Sequence, residues 1–411
     1  MKKIAIITPF LASGGLEKVA IVGAEELSKY FDVTLIVMDS FHIDYPYNGK
    51  TIDLDVVLMD RSIAKRLYNI ISSTLKLRKL KKEHNFDLVI SHGELANLPN
   101  VFSGGKHNIL TVHENRFVAL KDMQGKFVNK IIKYIYSAKN VSKVVTVSEG
   151  IRESFIENLG MDKTLIKTIH NPYNIEEIKI LSKENVGEFS YLFEYDVLSI
   201  TGRLTMSKGQ WYLLRIFKEL KKNNLNLKLM ILGDGEMKEQ LIKLSEDLDL
   251  KTYTVWSGKE FNDSFDVYFM GFQKNPFKFV KVSKLFVMTS LWEGFGNTIV
   301  EAMACGTPVV STNCKSGPSE IINDRIVDSD SRKIYYDGAG ILMPIFESKY
   351  VGNNMPLCDK EMLWVDTLNE LLTNTKKLEY YKLKGLTRAE YFNLDRIMQE
   401  WKKLIYNSLN I

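Results

Sequence analysis

The sequence predicts an α/β protein built from two doubly wound, Rossmann-like domains. Three observations carry this. Short β-branched runs alternate with segments of helical period along most of the chain. The runs are continuously apolar, as strands are in parallel sheets covered on both faces. At 411 residues the chain is too long for one ordinary core, and the runs fall into two series.

The first series comprises "IAIIT" (4–8), "VTLIVM" (33–38), "DLVIS" (87–91), "NILTVH" (108–113), "KVVTVS" (143–148) and "TLIKTIH" (164–170). The second comprises "VLSITG" (197–202), "LKLMILG" (227–233), "VYFMG" (267–271), "KLFVMTS" (284–290) and "PVVST" (308–312). Between them lies "HNPYNIEEI", where Asn171-Pro172 is a turn signal and a polar helix follows. The tail from Tyr380 to Ile411 is rich in aromatic and basic residues and reads as helix. Two such domains suit ligand binding in a cleft between them.

Composition narrows the class. Hydrophobic residues make up 45% and charged residues 26%, which fits a soluble globular chain and argues against a disordered one. The three cysteines, Cys305, Cys314 and Cys358, match no metal-site spacing and fit free thiols in a reducing compartment. The opening "MKKIAIITPF" has a short apolar run and no small-residue cleavage site, so a buried first strand is expected rather than a signal peptide. No window reaches the roughly 18 apolar residues of a membrane span. A cytoplasmic protein is therefore expected, with no nucleic-acid partner. Residues 1–175 carry 24 Lys+Arg against 18 Asp+Glu, so the positive excess belongs to the first half.

The stretch "TSLWEGFGNTIVEAMACGTPVVST" (289–312) places Glu293 and Glu301 around a glycine turn, just past a strand and at the start of a helix. The carboxyl edge of an α/β strand is where such sheets bind ligands. Gly294 and Gly296 permit close backbone approach, and the first N–H groups of the helix can face an anion. A local alternative stands beside this: Thr298 to Glu301 also matches a capping box, in which Glu301 only caps its own helix. In "SITGRLTMSKGQW", Arg203 and Lys208 sit on a short loop after a strand and can clamp a diphosphate, or can be ordinary exposed cations. "LGDGE" adds Gly233-Asp234-Gly235, a tight turn that is also common as a plain strand–helix connection. In the first half, Gly14-Gly15 are adjacent and so do not form the G-x-G-x-x-G dinucleotide fingerprint, which argues against an NAD enzyme. His113 in "TVHEN" ends a strand, and is either a ligand group or a satisfied structural histidine.

Together, "GRLTMSKG", "LGDGE", "GFQKNP", "EGFGNTIVEAMACGTPVV" and "SEII" resemble glycosyltransferase family 4, the retaining transferases of GT-B fold. "SGGLEKVA", "TVHEN", "VSEGIRE" and "HNPYN" resemble it more loosely. The resemblance implies an acceptor-binding domain over 1–175, a nucleotide-sugar-binding domain over 176–385, and a helix over 386–411 that crosses back to the first domain. It implies that Glu293 bonds the donor sugar's hydroxyls, aided by the backbone of Gly294, Phe295, Gly296, Asn297 and Thr298. Glu301 would bind the ribose. Arg203 and Lys208, with Gly202 and Gly233 beside them, would hold the diphosphate, and Phe272 would face the base. Gly14 and Gly15 would meet a phosphate or sugar across the cleft, and His113 would face the sugar near its reacting carbon.

The implied reaction moves a hexose or N-acetylhexosamine from a nucleotide diphosphate sugar, UDP-linked by resemblance, to a saccharide or lipid-linked saccharide. Surface polysaccharide, capsule or lipopolysaccharide assembly is the implied setting. No metal and no cofactor are expected beyond the nucleotide-sugar co-substrate, since cations and helix N-termini can stabilise the departing diphosphate. "DLD" (53–55 and 247–249) and "DSD" (328–330) imitate D-x-D metal sites, but none follows the expected strand end. Two alternatives stay open: a nucleotide-sugar epimerase, and a non-catalytic nucleotide-sugar-binding scaffold subunit. Arg61–Lys82 holds eight Lys/Arg and no acid, with Ile63, Leu67, Ile70, Ile71 and Leu77 forming an approximate stripe. Lys126–Lys143 is a second acid-free basic stretch, with Phe127, Tyr134 and Tyr136. Each reads as a peripheral contact with an anionic membrane face or as a packed helix with a solvated basic side. Trp256–Asp266 and Asp324–Leu363 depart from the simple family pattern.

Overall fold

The computed structural model describes residues 1–411 except 12–13, 41–46, 59–61, 116, 118–125, 330–331 and 411, and except the side chains of Ile63, Lys126 and Phe127. Ser13, Arg61, Asp330 and those side chains, used in the sequence reading, thus lie outside the described residues. The chain divides into two compact units, Met1–Tyr173 with Leu394–Ile411, and Asn174–Asn393.

The first unit is a parallel sheet of β1 (Lys3–Thr8), β2 (Asp32–Val37), β3 (Lys50–Asp53), β4 (Leu88–His92), β5 (Asn108–Val112), β6 (Val141–Thr146) and β7 (Ile166–Thr168), ordered β3-β2-β1-β4-β5-β6-β7. Side chains alternate across a strand, so β1 feeds two cores. Ile4 and Ile6 pack with Ala20, Ala24 and Leu27 of the helix Gly15–Ser28. Ala5 and Ile7 pack on the other face with Ile36, Val89 and Leu77. The helix Leu394–Leu409 joins the first of these cores through Ile397, Met398, Trp401, Leu404 and Ile405, an apolar face at helical spacing. Its first N–H bonds the Tyr173 carbonyl at 2.8 Å, pinning both ends of the crossing within this unit. Residues 386–393, expected to travel with that helix, stay in the second unit. There Arg388 donates to the carbonyls of Ile321 at 2.8 Å and Glu320 at 2.7 Å.

The second unit is a parallel sheet of β8 (Asp196–Thr201), β9 (Leu227–Leu232), β10 (Thr252–Thr254), β11 (Val267–Phe269), β12 (Leu285–Met288), β13 (Val309–Thr312) and β14 (Ile341–Met343), ordered β10-β11-β9-β8-β12-β13-β14. Trp211, Leu214 and Phe217 of the helix Gln210–Asn223 cover one face together with Trp364 and Leu368. On the other face the segment Trp256–Asp266 is partly structural. Phe261 and Phe265 pack against Tyr253 and Tyr268, and Phe261 meets Phe189 edge-on at 4.5 Å. The long region after Asp324 contributes β14 and is anchored by a buried ion pair. Arg215 Nε bonds Glu361 Oε1 at 2.7 Å, and its Nη atoms donate to the carbonyls of Met355 and Pro356, both at 3.0 Å.

Candidate active site

In each sheet the strand order switches direction at a central point, and the crevice beyond the carboxyl ends there is the expected ligand position. In the second unit that point lies between β8 and β12. The loops leaving these two strands carry Gly202, Arg203 and Lys208 on one side, and Glu293 to Thr298 on the other. The backbone sews them together. Leu291 N–H bonds the Ser207 carbonyl at 2.7 Å, and Thr289 Oγ1 donates to the Lys208 carbonyl at 3.1 Å. Gly209, at φ 58°, lies so near the Thr289 carbonyl that a Cβ there would come within 2.6 Å of it.

This stitching brings Lys208 onto Glu293. The ammonium and Glu293 Oε1 form an ion pair, and Ser290 Oγ donates to the same oxygen at 2.7 Å. Glu293 Oε2 accepts no hydrogen bond from the described residues. Arg203 is exposed, and among the described residues its guanidinium has no ion-pair or hydrogen-bond partner. The site thus offers a half-used carboxylate, a paired ammonium and an unpaired guanidinium around one strand reversal.

Glycine is required where loops touch. A Cβ on Gly233 would stand 2.0 Å from the Gly202 carbonyl, and one on Gly317 would stand 1.7 Å from the Phe295 carbonyl. The second contact seats the loop after β13 against the Glu293 turn. Buried Cys314 of that loop feels both Glu293 and Lys208, and burial raises its thiol pKa.

The helix Asn297–Ala304 starts after Gly296, which has φ 99° and makes no side-chain cap bond. Thr298 therefore lies inside the helix, where its hydroxyl meets Met288 Sδ at 3.7 Å. The capping-box alternative is overturned: its register would need Thr298 outside the helix. Glu301 lies on the second turn and is half-buried. Beyond β11, Phe272 is 63% exposed, with Trp256 beside Gly271 and Lys238 Nζ 4.5 Å from the Trp256 ring centroid. Trp256, the first residue of the segment that departs from the family pattern, thus stands beside the Phe272 turn.

In the first unit the reversal lies between β1 and β4. Gly14 precedes the helix that Gly15 begins, and a Cβ on Gly93 would come 2.6 Å from the Leu16 side chain, so the turn after β4 packs against the first turn of that helix. His113 follows β5 directly, and its Nε2 lies 3.1 Å from Nδ1 of His92 at the end of β4. His92 was not visible from motifs because it is distant in sequence from "TVHEN". Burial drives the His113 imidazole down to about 3; burial, then the neighbouring His113, drives His92 well below the ordinary 6.5. Both rings are held neutral while the unfolded chain gains protons below about pH 6.5. Stability from this pair is present above that pH and is lost as pH falls toward about 3. Thermal melts over that range should show the loss, with a shallower dependence in His113→Gln.

The D-x-D look-alikes make local contacts. Asp53 Oδ1 accepts from the Asp55 N–H at 2.8 Å, and Asp247 pairs with Lys243 at 3.2 Å.

Residues 13–177 match Glycosyltransferase Family 4, and residues 193–329 match Glycosyl transferases group 1. An uncharacterised glycosyltransferase of Methanocaldococcus jannaschii is 34% identical over 83% of this chain and 84% of its own. The Campylobacter jejuni N-acetylgalactosamine-N,N'-diacetylbacillosaminyl-diphospho-undecaprenol 4-alpha-N-acetylgalactosaminyltransferase is 26% identical over 98% of this chain and all of its own. The crystal structure of Anabaena HepE in complex with UDP and glucose superposes with a TM-score of 0.71 at 18% identity, over 99% of this chain and 100% of that one. The chain belongs to the family 4 glycosyltransferases and has their GT-B fold of two seven-stranded parallel α/β units.

Proposed function

We propose that this glycosyltransferase moves a hexose or N-acetylhexosamine from a UDP-sugar to a lipid-linked saccharide in surface-glycan assembly. It does so with retention at the anomeric carbon and without a metal. The observation that carries the reading is the Lys208–Glu293 pair at the strand reversal, with exposed Arg203 beside it. The lipid-linked acceptor is supported by the Campylobacter relative's diphospho-undecaprenol substrate.

Charge develops on the departing diphosphate, where Arg203 and Lys208 stabilise it electrostatically together with the N-terminal end of the helix Asn297–Ala304. Glu293 Oε1 is held by Lys208 and Ser290, leaving Oε2 to accept from sugar hydroxyls. This arrangement suits orientation rather than nucleophilic attack. The acceptor hydroxyl enters from the face the diphosphate leaves. The bond from C1 to the phosphate oxygen breaks, the bond to the acceptor oxygen forms, and the acceptor's proton passes to the diphosphate.

In this reading Glu301 accepts from the ribose hydroxyls. UDP and UDP-sugars should raise the melting temperature of the wild type, and Glu301→Ala should weaken the shift. About 2.7 kcal/mol is gained at a hundredfold excess over Kd. Stabilisation by NAD alone, or by no nucleotide, would sink the reading.

The proposed working place is the inner face of the cytoplasmic membrane. On the helix Ile63–His84, Leu77 and half-buried Ile70 turn inward, so the stripe read from sequence is corrected. Leu67, Tyr68, Ile71 and Leu75 form the exposed apolar face among the basic residues. The helix Lys126–Tyr136 exposes Val128, Ile131 and Tyr134. No helix of the described residues is long and apolar enough to cross a membrane. Co-sedimentation with phosphatidylglycerol vesicles, lost in Leu67→Glu/Ile71→Glu, is expected; equal binding to neutral vesicles would argue against the charge-based contact.

A further inference from the structure

We infer that His92 and Thr111 are positioning residues acting through His113. Together they hold its imidazole as the Nε2–H tautomer and leave Nδ1 as its only hydrogen-bond acceptor. His92 and Thr111 are register partners across β4 and β5, and His113 lies two residues beyond Thr111. Thr111 Oγ1 lies 3.0 Å from the Ser91 carbonyl, which can only accept, so the hydroxyl's single hydrogen is committed there. At 2.8 Å from His113 Nε2, the same hydroxyl must then accept, and Nε2 must carry the hydrogen. His92 Nδ1, 3.1 Å from that nitrogen, must present a lone pair, because two N–H groups cannot face each other. His92 is 4% exposed and Thr111 1%, so water has little room to replace either contact.

A neutral imidazole has one N–H, so His113 Nδ1 is left with its lone pair. It can accept from a hydroxyl and cannot donate to a phosphate oxygen. Given the transferase reading above, the group His113 meets is therefore a hydroxyl of the bound saccharide and not the diphosphate. The clamp fixes ring orientation as well, since Nε2 is held between two acceptors.

The test is nitrogen-15 NMR of the full chain labelled at histidine, with His113 assigned by His113→Gln. The wild type should show a protonated Nε2 and an unprotonated Nδ1 that do not change between about pH 6 and 8. His92→Leu should give mixed tautomers at His113 and a roughly tenfold lower kcat, with KM for the UDP-sugar little changed. His92→Asn, which restores an acceptor oxygen, should recover most of the rate. A wild-type ring protonated on Nδ1 overturns the proposal, as does His92→Leu with wild-type tautomer and kcat. If His92→Leu does not fold, the wild-type spectrum decides. That spectrum decides equally if no sugar transfer is found, so failure of the transferase reading and failure of the clamp remain separate.

Discussion

Lys208→Ala should lower kcat/KM for the sugar donor by about 10²- to 10³-fold, the usual loss when one preorganised group facing developing charge is removed. The effect has two sources. The departing diphosphate loses a cation, and Glu293, largely buried, loses the partner that orients it. Glu293→Gln keeps the shape but removes the ion pair, so the double variant should be much less damaged than the product of the single losses. Arg203→Ala makes the useful contrast. Its side chain has no partner in the described fold, so turnover should fall while the melting temperature stays put. Steady-state kinetics beside thermal melts separate the cases. Should Lys208→Ala lower stability but leave turnover per folded molecule intact, Lys208 would be structural only.

Arg215→Met should destabilise the second unit by about 3–5 kcal/mol, because it strands a buried carboxylate. Glu361 is 2% exposed, bonds the Cys358 N–H at 2.9 Å, and would keep no cation. The carbonyls of Met355 and Pro356 lose their donor as well. The region from Gly352 to Pro356 is thereby tied to the helix Gln210–Asn223, the helix that follows the Lys208 loop. Pairing the change with Glu361→Leu should recover part of the loss, since the isolated charge is then gone. Urea melts test this; an unchanged midpoint in Arg215→Met would show that the pair contributes little.

The two-sheet fold was legible because its central strands are buried on both faces and so are mostly apolar. β1 and β9 are examples. The strands that the sequence did not reveal, β3, β10 and β14, all lie at sheet edges and span three or four residues. An edge strand has one partner and needs less apolar character, and β3 reads "KTID". The motifs of the second unit were legible because each follows a strand. What they do to one another was not. Lys208 and Glu293 lie 85 residues apart, and only the adjacency of β8 and β12 joins them. His92 and His113 meet for the same reason, through β4 and β5. The Thr298–Glu301 pattern misled locally, because Gly296 starts the helix earlier than side-chain capping rules indicate.

The most direct test is product analysis. The full chain would be incubated with UDP-hexoses and UDP-N-acetylhexosamines, an undecaprenyl-diphosphate-linked saccharide and excess EDTA. The account predicts UDP release matched by an acceptor one sugar heavier, with the new linkage keeping the donor's anomeric configuration by proton NMR. An inverted linkage, strict dependence on added metal, or a donor epimerised with no gain in acceptor mass would contradict it.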